Sequence, residues 1–417
     1  MFWFLMVVFT VAAGAQETAR ERIQEEPLMA GGVYWMYPFE EHVVTRVPRG
    51  YEPVYLSHYG RHGARYLQSE EEYERSLGVL RAAHEAGMLT EEGERLFKEA
   101  GEYFEETCLY RYGNLTPLGW EQHYRIARGI YKDNRRLFRK QPSVYASATQ
   151  VPRCIVSMTA FCQGLASQDG GLDIYAEASS ANLDGLNPRA KENPRHHGNP
   201  PVEEGKYKKR DIWGGGLKEF IDKRIDHRAI CARIFRDPSF TNDFRGTRAF
   251  VTDLYDLVFN MQCTGTSRSL LWVFRPEEIY PLWEINNYIY YVSNAAPCTR
   301  RDAPVLEAII ADADAALLQD APSVRLRFGH DTVVLALLSM MGANGYGIVP
   351  SSADDISKTW FNYAAPMAAT MYLLFCKNKK GDVIFKLVVN DVEATLPLSP
   401  VSGPWYSWEE FKDSVKK

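Results

Sequence analysis

Residues 55–65 read YLSHYGRHGAR, in which His62 lies between two arginines where an apolar run passes into glycine. The residues before Gly60 predict a short β-strand over 54–57. Residues 69–72 (SEEE) have the Ser-x-x-Glu form of a capping box and predict a helix that ends near Gly87. Guanidinium groups bind phosphate oxygens in a bidentate way, and a neutral imidazole can attack phosphorus. The segment therefore predicts a phosphate-handling site between a strand and a helix.

Two later junctions of the same kind carry chemically reactive residues. Residues 143–148 predict a strand, and a helix over 152–165 follows with Arg153 in its first turn. Residues 324–328 (VRLRF) alternate strictly, as a half-exposed strand does, and His330-Asp331 comes just after it. Ligands of open α/β sheets bind at the carboxyl ends of strands, where helix amino termini favour anions. We therefore expect the three junctions to reach one pocket.

Other local patterns complete the core. Thr116 and Pro117 have the residue types of an N-cap and a first helical position, and they predict a helix that continues to Phe138. Residues 369–376 and 383–389 predict a β-hairpin around the turn sequence KKGD.

Composition limits the class of protein. The chain has 417 residues, of which 46% are hydrophobic and 24% charged, so it can bury a large core and is long enough for two lobes or an insertion. Its formal net charge of -5 argues against general nucleic-acid binding. We expect an anionic small molecule as the partner, held by a local cluster of basic side chains. The sequence leaves the oligomeric state open.

The organisation changes after residue 168. Residues 169–215 are rich in Gly, Asn, Pro and charge and predict loops, whereas residues 217–318 are mostly helical in pattern. We expect an α/β fold with a three-layer core, in which a central, mostly parallel sheet is flanked by helices. The core is predicted over 28–168 and 321–417. An inserted, mainly α-helical cap or substrate domain is predicted over 169–320.

The amino terminus predicts an export signal over residues 1–15. Phe2–Ala15 is apolar without side-chain charge, ends in Ala13-Gly14-Ala15 and is followed by polar residues. No Lys or Arg precedes the apolar run, so a retained anchor is the alternative. No later stretch approaches the ~18 apolar residues of a membrane span. We expect cleavage after Ala15 and a periplasmic or secreted protein without membrane attachment.

Cysteine and histidine spacings give no sign of a metal site. The seven cysteines are widely spread and odd in number, so at least one is unpaired or bonded elsewhere. No Cys-x-x-Cys or Cys/His spacing suggests zinc, and His196-His197 is interpreted as part of a polar loop. We expect no metal and no cofactor.

Four motifs together resemble the histidine acid phosphatases, the branch of the histidine phosphatase superfamily that includes phytases and multiple inositol polyphosphate phosphatases. They are residues 61–65 (RHGAR), 115–119 (LTPLG), 329–332 (GHDT) and a longer stretch over 147–165. That stretch begins with SAT, contains RC at 153–154 and ends in GL. The motif over 329–332 contains His-Asp, as in acid phosphatases and bacterial phytases, rather than the His-Ala-Glu of the inositol polyphosphatases. The chemistry is therefore better specified than the substrate.

The resemblance implies a role for each motif residue. His62 would be the nucleophile and form a phosphohistidine, and Asp331 would protonate the leaving alcohol. Four side chains would bind the phosphoryl oxygens: Arg61, Arg65, Arg153 and His330. Three guanidiniums and an imidazolium can compensate the charge of phosphoryl transfer without a metal. A donor carboxyl must stay protonated, which favours acidic operation unless the pocket raises its pKa.

Each of these residues has a structural alternative when it is taken alone. Asp331 has the residue type of a helix N-cap, Arg153 that of a surface arginine, and His330 or His62 that of a histidine at a strand end or in a loop. Their joint occurrence at matching junctions favours a shared phosphate site. His58, on the strand side of the first motif, is expected to be structural.

Substrate choice is expected to depend on the insertion. A basic run, with Lys191 and Arg195 upstream of it, could bind further phosphates of a substrate such as phytate. Its members are Lys206, Lys208, Lys209 and Arg210. The alternatives are a solvated loop at this position and a broad-specificity acid phosphatase acting on sugar phosphates or nucleotides. A phosphotransferase or mutase could use the same histidine, and a non-catalytic phosphosugar-binding protein would not need both His62 and Asp331.

Overall fold

The computed structural model describes residues 18–39, 44–140, 143–195, 216–295, 302–318 and 323–415. One mixed sheet forms its centre. The strands are β1 (Tyr51–Arg61), β2 (Ser143–Ala148), β3 (Asp173–Glu177), β4 (Val324–Gly329), β5 (Thr370–Asn378), β6 (Val383–Val389), β7 (Val392–Glu393) and β8 (Tyr406–Ser407). The order is β3-β2-β4-β1-β5-β6-β7, with β8 paired to β6. Strands β3, β2, β4 and β1 are parallel, and the predicted hairpin adds antiparallel β5 and β6.

Helices cover the sheet and build the insertion. They are α1 (Ala19–Glu25), α2 (Glu70–Glu85), α3 (Glu91–Tyr103), α4 (Pro117–Asp133), α5 (Arg135–Lys140), α6 (Pro152–Ala166), α7 (Gly216–Asp222), α8 (His227–Ile234), α9 (Thr247–Asn260), α10 (Pro276–Asn294), α11 (Ala303–Leu317), α12 (Asp331–Met340), α13 (Ile356–Thr359) and α14 (Trp408–Val415). A 3₁₀ segment over Pro27–Tyr34 packs against α9 and α10. The predicted α/β class with a mainly helical insertion is confirmed.

The side chains of β1 point alternately into two layers of the core. Leu56 contributes to the apolar layer formed with α4 and α6, whereas Tyr55 and Tyr59 contribute to the opposite layer. Helices α11 and α12 contact β1. Successive side chains of a strand point to opposite faces, so one strand serves both layers. The carboxyl end of β1 is thereby fixed from both sides.

Local signals place the helix starts correctly, with two differences. The Ser69 hydroxyl accepts the Glu72 N–H at 3.3 Å, but the Glu72 carboxylate accepts from the Gln68 N–H at 2.7 Å rather than from Ser69. Thr116 caps α4 with Pro117 at its first position, as predicted. The helix expected to reach Phe138 is interrupted at Asn134, whose side-chain amide donates to the Ile130 carbonyl at 2.9 Å.

Two expectations about strands are wrong. Part of the segment predicted to be loops forms β3, which pairs with β2 and extends the sheet. The strand predicted to be half-exposed is mostly buried, because Arg327 is covered rather than solvated. Arg327 is only 2% exposed and donates to the Ser57 hydroxyl and the Asp312 carboxylate of α11. A buried arginine produces the same sequence alternation as an exposed one.

Several sequence predictions fall outside the described residues. These are the export signal, His196-His197 and the basic run over 206–210. The six cysteines of the described part are free thiols, and no group of three or more metal-ligating side chains occurs there. No helix in the same part is long and apolar enough to cross a membrane. The domain boundaries stay a prediction.

Two buried histidines predict that the folded protein loses stability at acidic pH. His58 and His123 are 1% and 0% exposed and pack on Phe328, and neither ring nitrogen of His58 has a hydrogen-bond partner within the described residues. Burial lowers the pKa of each to about 3. Below the unfolded value near 6.5, the unfolded chain binds protons that the native chain does not. Each ring is therefore expected to reduce the free energy of unfolding by up to about 5 kcal/mol as the pH falls towards 3.

Urea unfolding at neutral and acidic pH tests this expectation. The double variant His58→Leu/His123→Leu is expected to lose less stability on acidification than the unmodified chain, whatever its stability at neutral pH. His84→Gln, which removes a half-exposed ring, is the control and should leave the acid-dependent loss unchanged. Equal losses in the double variant and the unmodified chain would contradict the expectation.

Candidate active site

Three strand ends meet at one edge of the sheet. Arg61 pairs with Gly329 across β1 and β4, so His62 and His330 directly follow neighbouring strands, and their ring centroids are 5.8 Å apart. β2 lies on the other side of β4 and leads to Arg153 in the first turn of α6. The structure therefore brings together all six predicted residues of the phosphate site.

The backbone and one hydrogen bond fix the state of His62. Its N–H donates to the Gly329 carbonyl and its carbonyl accepts from Ala368, each at 3.0 Å. Its Nδ1 lies 2.9 Å from the Gly63 carbonyl, which can only accept, so Nδ1 carries the proton and Nε2 keeps its lone pair. Burial lowers the pKa of His62 well below its ordinary value, and the charges of Arg153 and Arg61 lower it further. A neutral imidazole with a free Nε2 is the form that a nucleophile requires.

Two glycines allow the segment over residues 61–65, hereafter the phosphate loop after its predicted role, to approach α4. A Cβ on Gly63 would lie 2.3 Å from the Gly119 carbonyl oxygen, and a Cβ on Gly119 would lie 2.3 Å from the Ala64 carbonyl oxygen. Neither position has room for a side chain. The Gly63 N–H donates to the Ser157 hydroxyl at 3.0 Å. The motifs over residues 61–65 and 115–119 therefore pack directly against each other.

Arg61 is held in one orientation by segments distant in sequence. It is 1% exposed, and its Nη1 donates to the carbonyls of Val33 and Ala365, the latter at 2.7 Å. Its Nη2 lies 3.6 Å from Asp331 Oδ2. Rigid donors lose little freedom when an anion binds, which suits phosphoryl transfer.

Arg65 and Arg153 complete the cationic side of the pocket. Arg65 is 7% exposed, donates to the Tyr66 carbonyl at 2.8 Å and lies over the Tyr34 ring at 5.8 Å. Arg153 is half-buried and its Nη2 lies 3.5 Å from the Gln68 side-chain oxygen. The Nε of Arg65, Arg153 and Arg61 is in each case buried without a hydrogen-bond partner among the described residues. Unpaired buried donors are costly, and an anion would satisfy them.

His330 and Asp331 begin α12. His330 occupies the N-cap and Asp331 the first helical position, so Asp331 is not the N-cap. Burial and the Arg153 charge lower the pKa of His330 to about 4, so in the free protein it is a neutral imidazole rather than the expected imidazolium. Burial favours a raised pKa for Asp331, but the charges of Arg61 and Arg65, joined by that of His330 when it is protonated at acidic pH, outweigh burial and lower that pKa. Asp331, the predicted proton donor, is therefore ionised at neutral pH in the free protein.

Helix α9 of the predicted insertion packs against the site, which the sequence did not indicate. The Asn260 side chain of α9 donates to the Arg65 carbonyl at 3.1 Å and fixes α9 against the phosphate loop. Burial, together with the charges of nearby Glu72 and Asp253, raises the pKa of Asp256, also on α9, to about 7. No sequence signal distinguishes Asp256, because α9 has an ordinary amphipathic pattern and its docking partner is distant in sequence.

The basic side chains upstream of the run over 206–210 are exposed. Arg195 has a side chain that is 79% exposed and forms an ion pair with Asp184 at 3.3 Å, and Lys191 is exposed as well. The structure shows neither of them in the pocket.

Comparisons with known proteins agree with this geometry. Residues 60–212 match the family model described as histidine phosphatase superfamily (branch 2). The fold resembles the Bifidobacterium longum multiple inositol polyphosphate phosphatase in complex with inositol hexasulfate, with a TM-score of 0.77 and 16% identity over 93% of this chain and 97% of that one. It also resembles the phytase from D. castellii (TM-score 0.67, 16% identity, 98% and 88% coverage) and apo Hafnia alvei phytase (0.61, 13%, 89% and 98%). No curated protein matches the chain.

Proposed function

We propose that the chain is a member of branch 2 of the histidine phosphatase superfamily, as its match over residues 60–212 supports. It would hydrolyse phosphoric monoesters through a phosphohistidine, with phytate or other inositol polyphosphates as substrates. One observation carries the proposal. The Nδ1 proton of His62 is committed to the Gly63 carbonyl, so Nε2 is free among three arginines and beside His330-Asp331. A phosphate-binding protein without catalysis would not need a nucleophile prepared in this way.

The first step transfers the phosphoryl group to the protein. The substrate phosphate binds to Arg61, Arg65 and Arg153, and its negative charge raises the pKa of Asp331 by competing for Arg61. Nε2 of His62 attacks phosphorus and the ester P–O bond breaks. Asp331 gives its proton to the departing alkoxide, which leaves as the alcohol.

The second step restores the protein. Water attacks the phosphohistidine, and the Asp331 carboxylate now accepts the proton of that water. The P–N bond breaks, inorganic phosphate is formed, and His62 regains its lone pair. Every charge that develops lies beside a guanidinium already in position, so this scheme needs no metal ion.

Three observations bear on the substrate. Two structural neighbours are a multiple inositol polyphosphate phosphatase and a phytase. Together with the basic run over 206–210, they support a substrate with several phosphates. Asp256 and Glu72 place two carboxyl groups near Arg65, and carboxylates repel additional phosphates. This favours the second candidate, a broad-specificity acid phosphatase on sugar phosphates or nucleotides. Protonation of Asp256 at acidic pH would remove part of that repulsion.

Phosphate release from phytate, a sugar phosphate, a nucleotide and p-nitrophenyl phosphate, measured from acidic to neutral pH with EDTA present, tests the proposal. We expect the highest kcat/KM on phytate at acidic pH, with no effect of EDTA. A higher kcat/KM on the sugar phosphate or nucleotide would support the second candidate. Activity lost in EDTA would contradict the metal-free mechanism.

We also propose that the protein is exported with residues 1–15 removed, and that residues 169–320 form a cap or substrate domain. The apolar segment ending at Ala15 supports export. The mass of the mature protein decides between cleavage after Ala15 and a retained anchor.

A further inference from the structure

One buried hydroxyl contacts the backbone of the predicted proton-donor segment. Tyr59 lies on β1 three residues before His62 and is 1% exposed. Its hydroxyl donates to the Leu186 carbonyl at 2.7 Å and accepts the His330 N–H at 3.3 Å. The carbonyl can only accept, so it fixes the hydroxyl proton and directs an oxygen lone pair towards His330.

A glycine beside this hydroxyl leaves room for it. A Cβ on Gly329 would lie 2.1 Å from the Tyr59 oxygen, so the absence of a side chain at Gly329 makes room for the contact. Burial raises the pKa of Tyr59 well above its ordinary value, so the hydroxyl stays protonated throughout the acidic and neutral range.

The other partner of the hydroxyl is itself anchored. Leu186 is 1% exposed and follows a 3₁₀ turn over Ser180–Gly185 that packs against α11. Three residues later, Arg189 donates to the Asp302 carboxylate and to the Asn294 side chain. The acceptor for the Tyr59 proton is thus held by contacts to α10 and to the residue before α11.

We propose that Tyr59 is a positioning residue, whose hydroxyl holds the His330 backbone so that the next residue, Asp331, meets the leaving oxygen. The inference rests on the proposed function. Without the hydroxyl, the His330 N–H and the Leu186 carbonyl lose a buried partner and the start of α12 can shift. A displacement of about 1 Å at a reacting group can lower a rate by as much as ~10²-fold.

Tyr59→Phe tests this inference, because it removes the oxygen and keeps the ring. Tyr55→Phe is a matched control. Tyr55 lies on the same strand, is also 1% exposed and packs in the same layer, but its hydroxyl has Ser57 and Arg327 as neighbours rather than the His330 backbone. Both variants and the unmodified chain are assayed on an alkyl ester, glycerol 2-phosphate, and on an aryl ester, p-nitrophenyl phosphate.

The alkyl ester needs a proton at its leaving oxygen much more than the aryl ester does. We therefore expect Tyr59→Phe to lower kcat on glycerol 2-phosphate by roughly 10- to 100-fold and to change kcat on p-nitrophenyl phosphate far less. Tyr55→Phe should leave the ratio of the two kcat values unchanged. The ratio does not depend on the fraction of folded protein, so a less stable variant still gives an answer.

Equal losses on both esters, or a ratio like that of Tyr55→Phe, would overturn the inference. Its failure is distinguishable from that of the proposed function. If the unmodified chain hydrolyses neither these two esters nor phytate, the function is wrong. If Asp331→Asn changes the ratio and Tyr59→Phe does not, only the role of Tyr59 is wrong.

Discussion

Replacing His62 with alanine is expected to lower kcat for every phosphomonoester by about 10⁴-fold or more, because the covalent route disappears with the nucleophile. Cys154 cannot take its place. Its Sγ donates to the Gly329 carbonyl at 3.4 Å, and burial raises the pKa of the thiol to about 11. Steady-state phosphate release measures the loss. Rapid acid quenching with substrate labelled at phosphorus should detect a protein-bound phosphoryl group in the unmodified chain and none in His62→Ala.

Binding provides the control for this experiment. Arg61, Arg65 and Arg153 are held by contacts that do not involve the His62 ring. The dissociation constant of inorganic phosphate, measured by calorimetry, should therefore change much less than kcat. A variant that retains full activity would eliminate the phosphohistidine mechanism. A variant that loses activity and phosphate affinity together would indicate a collapsed site.

The parts of this site that the sequence predicts are those with local causes. A threonine that caps a helix and a proline at its first position act on neighbouring residues, so Thr116 and Pro117 could be interpreted directly. Parallel strands align their carboxyl ends. The meeting of His62 and His330 follows from that alignment once their strands are recognised.

The parts that the sequence did not predict depend on contacts between distant segments. Arg61 is oriented by carbonyls at Val33 and Ala365, and a backbone carbonyl has no sequence signature. Arg327 is buried because α11 places Asp312 over it, although the local pattern is that of an exposed strand. Protonation states are non-local for the same reason, since the pKa of Asp331 depends on the charges of Arg61 and Arg65, which are distant from it in sequence.

Asp331→Asn is expected to lower kcat on glycerol 2-phosphate by about 10²- to 10⁴-fold, because an amide can donate a hydrogen bond but cannot transfer a proton to an alkoxide. The loss on p-nitrophenyl phosphate should be much smaller, since its leaving group departs without protonation. Steady-state kinetics on the two esters measures the difference. Asp354→Asn is the control, because Asp354 pairs with Arg224 beside α7 and should leave both rates unchanged. Equal losses on the two esters would contradict the assignment of Asp331 as the proton donor.

The same carboxyl predicts the shape of the pH profile. Activity requires protonated Asp331, so each rate falls as the pH rises through the pKa of that group. In the free protein Arg61 lowers this pKa, whereas a bound phosphate dianion competes for Arg61 and raises it. Because kcat/KM reports the free protein and kcat reports the complex, kcat on glycerol 2-phosphate should decline at a higher pH than kcat/KM. In Asp331→Asn this decline should disappear from kcat. Coincident profiles in the unmodified chain would mean that Arg61 stays paired with Asp331 when substrate binds.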